Sequence, residues 1–149
     1  MYQINKISNL EYEEWFELIK QSKAEGIRFP PRLEKEYAIG IHRCQQPEEA
    51  LFGMQDDKNK LIAVGGVNCD PYSDFVKVGR VRRFFVSKKW RRTGAGSSLL
   101  EAMISFSRDH YNFLVLYSDS ESASSFYVST GFERTGDFPY STHMMKLLR

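Results

Sequence analysis

Cysteine is scarce in this chain of 149 residues, which contains only Cys44 and Cys69. The two residues have no C-x-x-C spacing, and no pair of histidines lies near either of them. A structural zinc site needs four such ligands, and a disulfide framework needs several cysteines. We therefore expect no bound metal, no disulfide framework and a reducing, cytoplasmic setting.

Long apolar segments are also missing. No run approaches the roughly 18 apolar residues that a membrane-spanning helix requires. Residues 1–15 are amphipathic and acidic, without the basic and then apolar pattern of a signal peptide. The sequence therefore predicts a soluble protein with no membrane partner.

The chain lacks a large excess of either positive or negative charge. It has 21 Lys and Arg and 19 Asp and Glu, which gives a net charge of +2. Net charge alone therefore indicates no polyanionic partner. Hydrophobic residues make up 42% of the chain, which is typical of a globular domain. No internal repeat or low-complexity segment interrupts it, so we expect a single domain over residues 1–149.

Apolar periodicity and turn residues predict about four helices and seven strands. The predicted helices run from Leu10 to Glu25, Arg32 to Arg43, Gly96 to Asp109 and Ser120 to Thr130. The predicted strands run from Tyr2 to Ile7, Ala50 to Gln55, Leu61 to Cys69, Val78 to Val86, Phe113 to Tyr117, Phe132 to Thr135 and Met144 to Leu148.

The order of these elements predicts an α+β fold rather than a doubly wound one. Residues 78–117 have the order strand, helix, strand, which is typical of a parallel crossover. The strands before and after this unit favour antiparallel pairing. We expect a mixed, mostly antiparallel twisted sheet of about six to seven strands, with a central parallel pair and about four flanking helices.

The segment from Phe84 to Leu100 combines a strand, a basic turn, two glycines and a helix. Gly94 and Gly96 can adopt positive φ and leave space beside the backbone. Unpaired N–H groups and the helix dipole make the first turn of the helix favourable for an anion. The pattern predicts a phosphate or pyrophosphate site, to which Arg91, Arg92, Lys88 and Lys89 would add charge.

Two other phosphate-binding motifs fit less well. A dinucleotide-binding fingerprint needs a third glycine at position 99, where Leu99 stands, although Asp119 is suitably placed for a ribose. A P-loop is excluded because no Gly-Lys-Ser/Thr follows a first glycine at the required spacing.

The residues Val86, Arg91, Gly94 and Gly96 match the V-x-x-x-x-R-x-x-G-x-G spacing of the GNAT superfamily of acyl-CoA-dependent N-acyltransferases. A second segment of that superfamily, A-x-x-F/L-Y-x-x-x-G-F, is matched by Ala123, Phe126, Tyr127, Gly131 and Phe132. The chain therefore resembles this superfamily from about Val78 to Phe132. The resemblance implies acetyl-CoA as cosubstrate and an amine, in a small molecule or a peptide, as acceptor.

The resemblance also implies roles for individual residues. Backbone groups of Phe84 and Val86 would hold the thioester and pantetheine arm, and Tyr127 would lie beside the sulfur as a general acid. Ser120 stands where the family usually has Asn, and it can donate a hydrogen bond or cap the helix. The pyrophosphate would be held by Arg91, Arg92, Thr93, Gly94, Ala95, Gly96 and Ser97.

The strand before this loop has an irregular pattern. Its two-residue alternation fails at Arg82 and Arg83, which favours a β-bulge that frees backbone donors for the acyl carbonyl. Arginines in place of a carboxylate also leave the general base unassigned. The candidates are Asp119, His143, Asp70 and Asp74, or a chain of water molecules.

Two alternative functions remain open. Residues 77–92 contain eight basic residues and no acidic ones, with Phe84, Phe85 and Trp90 among them. Such interleaving is typical of a groove for single-stranded nucleic acid, although coenzyme A phosphates would use the same charges, and we rank this partner lower. The missing carboxylate base also fits an acyl-CoA sensor that binds without catalysis. The resemblance further allows a homodimer.

Overall fold

The computed structural model describes residues 2–7, 18, 20–21, 24–25, 48–73 and 77–147. Within the first predicted helix, Leu18, Lys20, Gln21 and Ala24 are helical. The second predicted helix, residues 32–43, lies outside the described residues, as does the candidate base Asp74.

Seven strands form one sheet with the order β1-β2-β3-β4-β5-β7-β6. Every neighbouring pair is antiparallel except β4 and β5, which are parallel. The α+β class, the strand number and the central parallel pair are thus confirmed. The strands are β1 Tyr2–Lys6, β2 Ala50–Asp56, β3 Leu61–Cys69, β4 Val78–Val86, β5 Phe113–Leu116, β6 Glu133–Arg134 and β7 His143–Lys146.

Two complete helices accompany the sheet in the described part of the chain, fewer than the four predicted. Helix α1 spans Ala95–Arg108 and helix α2 spans Glu121–Ser129, each within one residue of the predicted start. A short 3-10 helix, Lys88–Trp90, separates β4 from α1. Among the described residues, no helix is long and apolar enough to cross a membrane.

Helix α1 connects the two parallel strands and packs on the sheet. Its buried residues Leu99, Leu100 and Met103 join the main core cluster together with residues of β2, β3 and β5. These positions recur at the spacing of one helix face, so burying them holds α1 against the sheet. The start of α1 is thereby fixed close to the end of β4.

The parallel pairing of β4 with β5 is short. It joins Val78, Gly79 and Arg80 with residues 113–115, and β4 then continues for six residues without pairing to β5. The backbone of β4 from Val81 to Val86 therefore has one edge that none of the described strands covers. The candidate functional site lies at this opening between β4 and β5.

The β-bulge predicted at Arg82 and Arg83 is confirmed. In the pairing of β3 with β4, Val64 lies opposite Phe85 while Gly66 lies opposite Arg82, so β4 contains one extra residue. Arg83 has a φ of 57°, which an ordinary strand residue does not adopt. The bulge lies at the uncovered edge of β4 and breaks the regular alternation of side chains there.

Candidate functional site

A cavity of about 1600 Å³ opens where β4 and β5 separate. It extends from the uncovered edge of β4 to the first turn of α1, and the segment after β5 and helix α2 form the facing wall. Most of the sequence-predicted site residues line it, namely Phe84, Val86, Arg91, Arg92, Gly94, Gly96, Ser97, Ser120 and Tyr127.

The N-terminus of α1 faces this cavity. Gly94 caps the helix with a φ of 88°, and a Cβ atom added there would meet nothing within 4 Å. No described residue accepts a hydrogen bond from the amides of Gly96 and Ser97, as expected for the first turn of a helix. The mouth of the helix is therefore open and carries unpaired donors.

Gly96 contributes in a different way from the one its sequence pattern predicts. Its φ is not positive, and a Cβ atom there would lie 3.5 Å from the Phe126 ring and 3.6 Å from Val86. A Cβ atom would therefore make ordinary van der Waals contacts, and glycine leaves this part of the cleft between β4 and α2 free of a side chain.

Two other predicted binding residues do not line the cavity. Ala95 is fully buried beneath the helix mouth. The Thr93 hydroxyl donates a hydrogen bond to the Trp90 carbonyl, which holds the turn before α1. The structure assigns both residues to shaping the loop that presents Gly94 and Gly96.

The guanidinium of Arg91 is engaged within the protein. Its Nε donates to the Val86 carbonyl at 2.9 Å, and its two terminal nitrogens each contact a carboxylate oxygen of Glu25 at 2.8 Å. It also lies 5.3 Å from the Phe85 ring centroid. Arg91 thus anchors the loop to β4, whereas Arg92 is exposed and lines the cavity with its charge unpaired by any described residue.

Tyr127 lies in the wall of the cavity contributed by α2. Its ring contacts those of Phe84, Phe126, Phe132 and His143, and only 9% of the residue is exposed. Burial raises the pKa of Tyr127 to about 12. The hydroxyl therefore keeps its proton at neutral pH, and no described residue forms a hydrogen bond with it.

Ser120 is the N-cap of α2. Its hydroxyl accepts a hydrogen bond from the Ala123 amide at 3.3 Å and lies 3.1 Å from the Ser122 hydroxyl. The capping role predicted for this residue is therefore confirmed. Ser120 also lines the cavity, so its hydroxyl can still meet a ligand there.

The candidate bases have different surroundings. Asp119 is exposed and lines the cavity. Asp70 is buried outside it, where Oδ1 accepts from Arg80 Nε at 2.7 Å. The carboxylate of Asp119 is therefore accessible from the cavity, whereas the carboxylate of Asp70 is committed to an ion pair.

His143 is enclosed in the core with 1% of its surface exposed. Its Nε2 lies 2.8 Å from the Ser124 hydroxyl and its Nδ1 lies 2.7 Å from the Thr142 hydroxyl. Burial, with a smaller contribution from Arg134, lowers the pKa of His143. The imidazole therefore favours its neutral form, and it does not line the cavity.

Three exposed tyrosines in the cavity wall escaped the sequence analysis, namely Tyr72, Tyr117 and Tyr140. Tyr72 and Tyr140 come from loops 68 residues apart, yet their ring centroids lie 4.8 Å from each other. Their local signal is weak, because a tyrosine beside proline or serine is an ordinary loop residue. Only the folded sheet brings them together.

The basic segment of residues 77–92 does not form one continuous surface. Phe85 is buried, and Phe84 and Trp90 pack against the core. Arg80 is buried in its ion pair with Asp70. Because Phe85 is buried and Phe84 and Trp90 are only partly exposed, the segment offers no row of exposed rings on which bases could stack.

Comparison with known proteins identifies the family to which this architecture belongs. The family model described as "Acetyltransferase (GNAT) domain" matches residues 20–145 of the chain. No curated protein matches the chain in sequence. The fold is similar to that of a candidate acetyltransferase from Exiguobacterium sp. 255-15, with a TM-score of 0.85 and 27% identity, over 98% of this chain and 93% of that one.

Two more distant structures have the same fold. An acetyltransferase from Streptococcus agalactiae 2603 has a TM-score of 0.76 and 18% identity, over 97% of this chain and 98% of that one. A GNAT family N-acetyltransferase from Escherichia coli, in complex with CoA, has a TM-score of 0.70 and 15% identity, over 98% of this chain and 81% of that one. By the family match over most of its length, the chain belongs to the GNAT acetyltransferase family.

Proposed function

We propose that this protein is a single acyltransferase domain that moves an acetyl group from acetyl-CoA to a primary amine by direct attack in a ternary complex. The observation that carries the proposal is the continuity of the β4 edge with the open mouth of α1 in one cavity. Its volume of about 1600 Å³ exceeds the usual roughly 300 to 1,000 Å³ of small-molecule pockets. It therefore has room for two substrates at once.

The residues present fit coenzyme A at two places, the diphosphate and the pantetheine arm. The amides of Gly96 and Ser97, with the charge of Arg92, suit the diphosphate. The uncovered backbone edge of β4 near Phe84 and Val86 suits the amides of the pantetheine arm, as an added strand would pair there. A Cβ atom at Gly94 would fill the space that the diphosphate needs, which explains the requirement for glycine.

The reaction needs one bond to form and one to break. The amine nitrogen bonds to the thioester carbonyl carbon, and the bond from that carbon to sulfur then breaks. The bulge at Arg83 lies at the uncovered edge of β4, where backbone N–H groups would donate to the carbonyl oxygen as negative charge develops on it. Tyr127 donates its proton to the departing sulfur, and the proton of the attacking amine passes to water near Asp119.

The two rival functions predict different behaviour. A sensor would bind acetyl-CoA without releasing free thiol in the presence of any amine. A nucleic-acid-binding module would bind single strands with an affinity that falls steeply with salt and does not depend on coenzyme A. The packing of Phe84, Phe85 and Trp90 disfavours the second alternative.

The proposal is tested in two steps. Calorimetry with acetyl-CoA should give saturable binding, and thiol release should then be measured across amino acids, peptides, polyamines and amino sugars. Transfer to at least one amine supports the enzyme. Absence of heat and of a thermal shift at high ligand concentration would overturn the proposal, and binding without thiol release would favour the sensor.

A further inference from the structure

The cavity extends along β4 beyond the part proposed for acetyl-CoA. At this end it is lined by Arg80, Arg82, Tyr72 and Tyr140. Arg82 precedes Phe84 by two residues, which is at most about 7 Å of strand. A molecule bound here would therefore lie next to the proposed position of the thioester. We call these four residues the acceptor end.

Arg80 gives the acceptor end its shape. Its Nε contacts Asp70 at 2.7 Å, and its terminal nitrogens donate to the carbonyls of Tyr140 at 2.8 Å and Pro139 at 3.0 Å. These contacts join two loops that are distant in sequence and bring the Tyr72 and Tyr140 rings together. Arg80 is buried, and its charge is balanced by Asp70.

Arg82 is the charge at the acceptor end that no described residue neutralises. It is partly exposed, and its guanidinium carbon lies 5.8 Å from the Tyr72 ring centroid. Among the residues that the structure describes, none forms an ion pair or hydrogen bond with its guanidinium. The only acidic residues among those lining the cavity are Glu25, which is paired with Arg91, and Asp119.

We propose that Arg82 binds an anionic group of the acceptor, so that the enzyme acetylates primary amines that also carry a carboxylate or a phosphate. This inference rests on the proposed acetyl transfer. A guanidinium forms paired hydrogen bonds with either group, and the Tyr72 ring restricts the orientation of the arginine in advance. The short distance from Arg82 to Phe84 selects acceptors whose anionic group is only a few bonds from the amine.

The test compares amines in matched pairs. An amino acid is compared with its carboxamide, and an amino sugar phosphate with the free amino sugar, by kcat/KM in a thiol-release assay. We expect the anionic member of at least one pair to be favoured by ~10- to 100-fold, the range for a charge-assisted hydrogen bond. The pair with the larger ratio identifies the carboxylate or the phosphate as the natural anion.

Variants of Arg82 separate binding from folding. Arg82→Gln should raise KM for the anionic amine to about that of its neutral partner, by the same ~10- to 100-fold. It should leave the affinity for acetyl-CoA unchanged, and it should lower kcat/KM far less for the neutral amine than for the anionic one. Arg82→Lys keeps the charge without the paired geometry and should recover part of the loss. Arg108→Gln, at the exposed end of α1, removes the same charge far from the cavity and should change nothing.

The outcomes distinguish this inference from the function on which it rests. Equal kcat/KM within both pairs, or an unchanged KM in Arg82→Gln, overturns the anionic acceptor while acetyl transfer stands. Absence of acetyl-CoA binding, or of transfer to any amine, overturns the enzyme and the acceptor site together. An anionic preference that Arg82→Gln removes and Arg108→Gln retains supports the inference.

Discussion

Replacing Tyr127 by phenylalanine removes one hydroxyl from the cavity and little else. The four ring contacts of Tyr127 with Phe84, Phe126, Phe132 and His143 remain available to a phenylalanine ring. No described residue loses a hydrogen bond. We therefore expect the free energy of unfolding to change by less than about 1 kcal/mol, which a denaturant titration measures.

The expected effect on catalysis follows from the pKa of about 12. General acids contribute roughly 10²- to 10⁴-fold to a rate. A hydroxyl with this pKa is a weaker acid than a thiol, whose pKa is ordinarily about 8.5, so transfer of its proton is uphill. We therefore expect Tyr127→Phe to lower kcat by about a hundredfold, near the low end of that range. This loss corresponds to an activation free energy higher by about 3 kcal/mol.

The raised pKa of Tyr127 also predicts how kcat depends on pH. Tyr127 acts in its protonated form, which is present below its pKa and is lost as the pH rises through about 12. A tyrosine with an ordinary pKa would be half ionised at a pH of about 10. Up to that pH, ionisation of Tyr127 should therefore cause no alkaline decline in kcat.

Steady-state kinetics at saturating amine tests whether Tyr127 is the general acid, with Tyr117→Phe as the control. Tyr117 also lines the cavity but is 62% exposed, so its hydroxyl remains in contact with solvent. Tyr127→Phe should lower kcat and leave KM for acetyl-CoA nearly unchanged, while Tyr117→Phe should behave as the wild type. An undiminished kcat in Tyr127→Phe, or the large loss in Tyr117→Phe instead, would refute the assignment.

Three further predictions concern the helix mouth, a surface ion pair and a buried histidine. Gly94→Asp should weaken acetyl-CoA binding at least tenfold, or by about 1.4 kcal/mol in calorimetry, because it places a charged side chain in the open mouth. Gly136→Asp, where a Cβ atom also meets open space, should bind as the wild type, and equal affinities for the two variants would rule out the cradle. Glu25→Gln should lower the free energy of unfolding by only about 0.2 to 1 kcal/mol in a denaturant titration, because its ion pair with Arg91 is screened by solvent, and a loss of several kcal/mol would contradict this. Burial lowers the pKa of His143 in the folded protein below the ordinary histidine value of about 6.5. The stability that neutral His143 contributes is therefore complete at pH values above about 6.5, and it is lost as the pH falls through the lower pKa of the folded state. His143→Gln should reduce this acid sensitivity of unfolding, and an identical pH profile for the two proteins would disprove it.

The segment from β4 to α2 was predictable because its signals are local. The glycine that caps α1, the serine that caps α2 and the failed alternation at Arg82 and Arg83 each depend on neighbouring residues. Backbone conformation and capping are decided within one turn of chain. The start of both helices could therefore be read within one residue.

The sequence could not predict which side chains are already engaged in ion pairs or hydrogen bonds within the protein. Arg91 is 66 residues from its partner Glu25, and the rings of Tyr72 and Tyr140 meet where Arg80 contacts both of their loops. His143 is polar and adjacent to a strand end, yet it is buried between two hydroxyls. Such pairings depend on the order of strands in the sheet, which local spacing does not encode.

Heteronuclear NMR of the backbone amides during a titration with acetyl-CoA tests the central claim most directly. If the diphosphate lies on the first turn of α1, the amide signals of Gly94, Gly96 and Ser97 should show the largest, saturable shifts. A Gly94→Asp protein should lose these shifts while remaining folded. Saturable binding that leaves those three amides unmoved and shifts signals elsewhere would contradict the account.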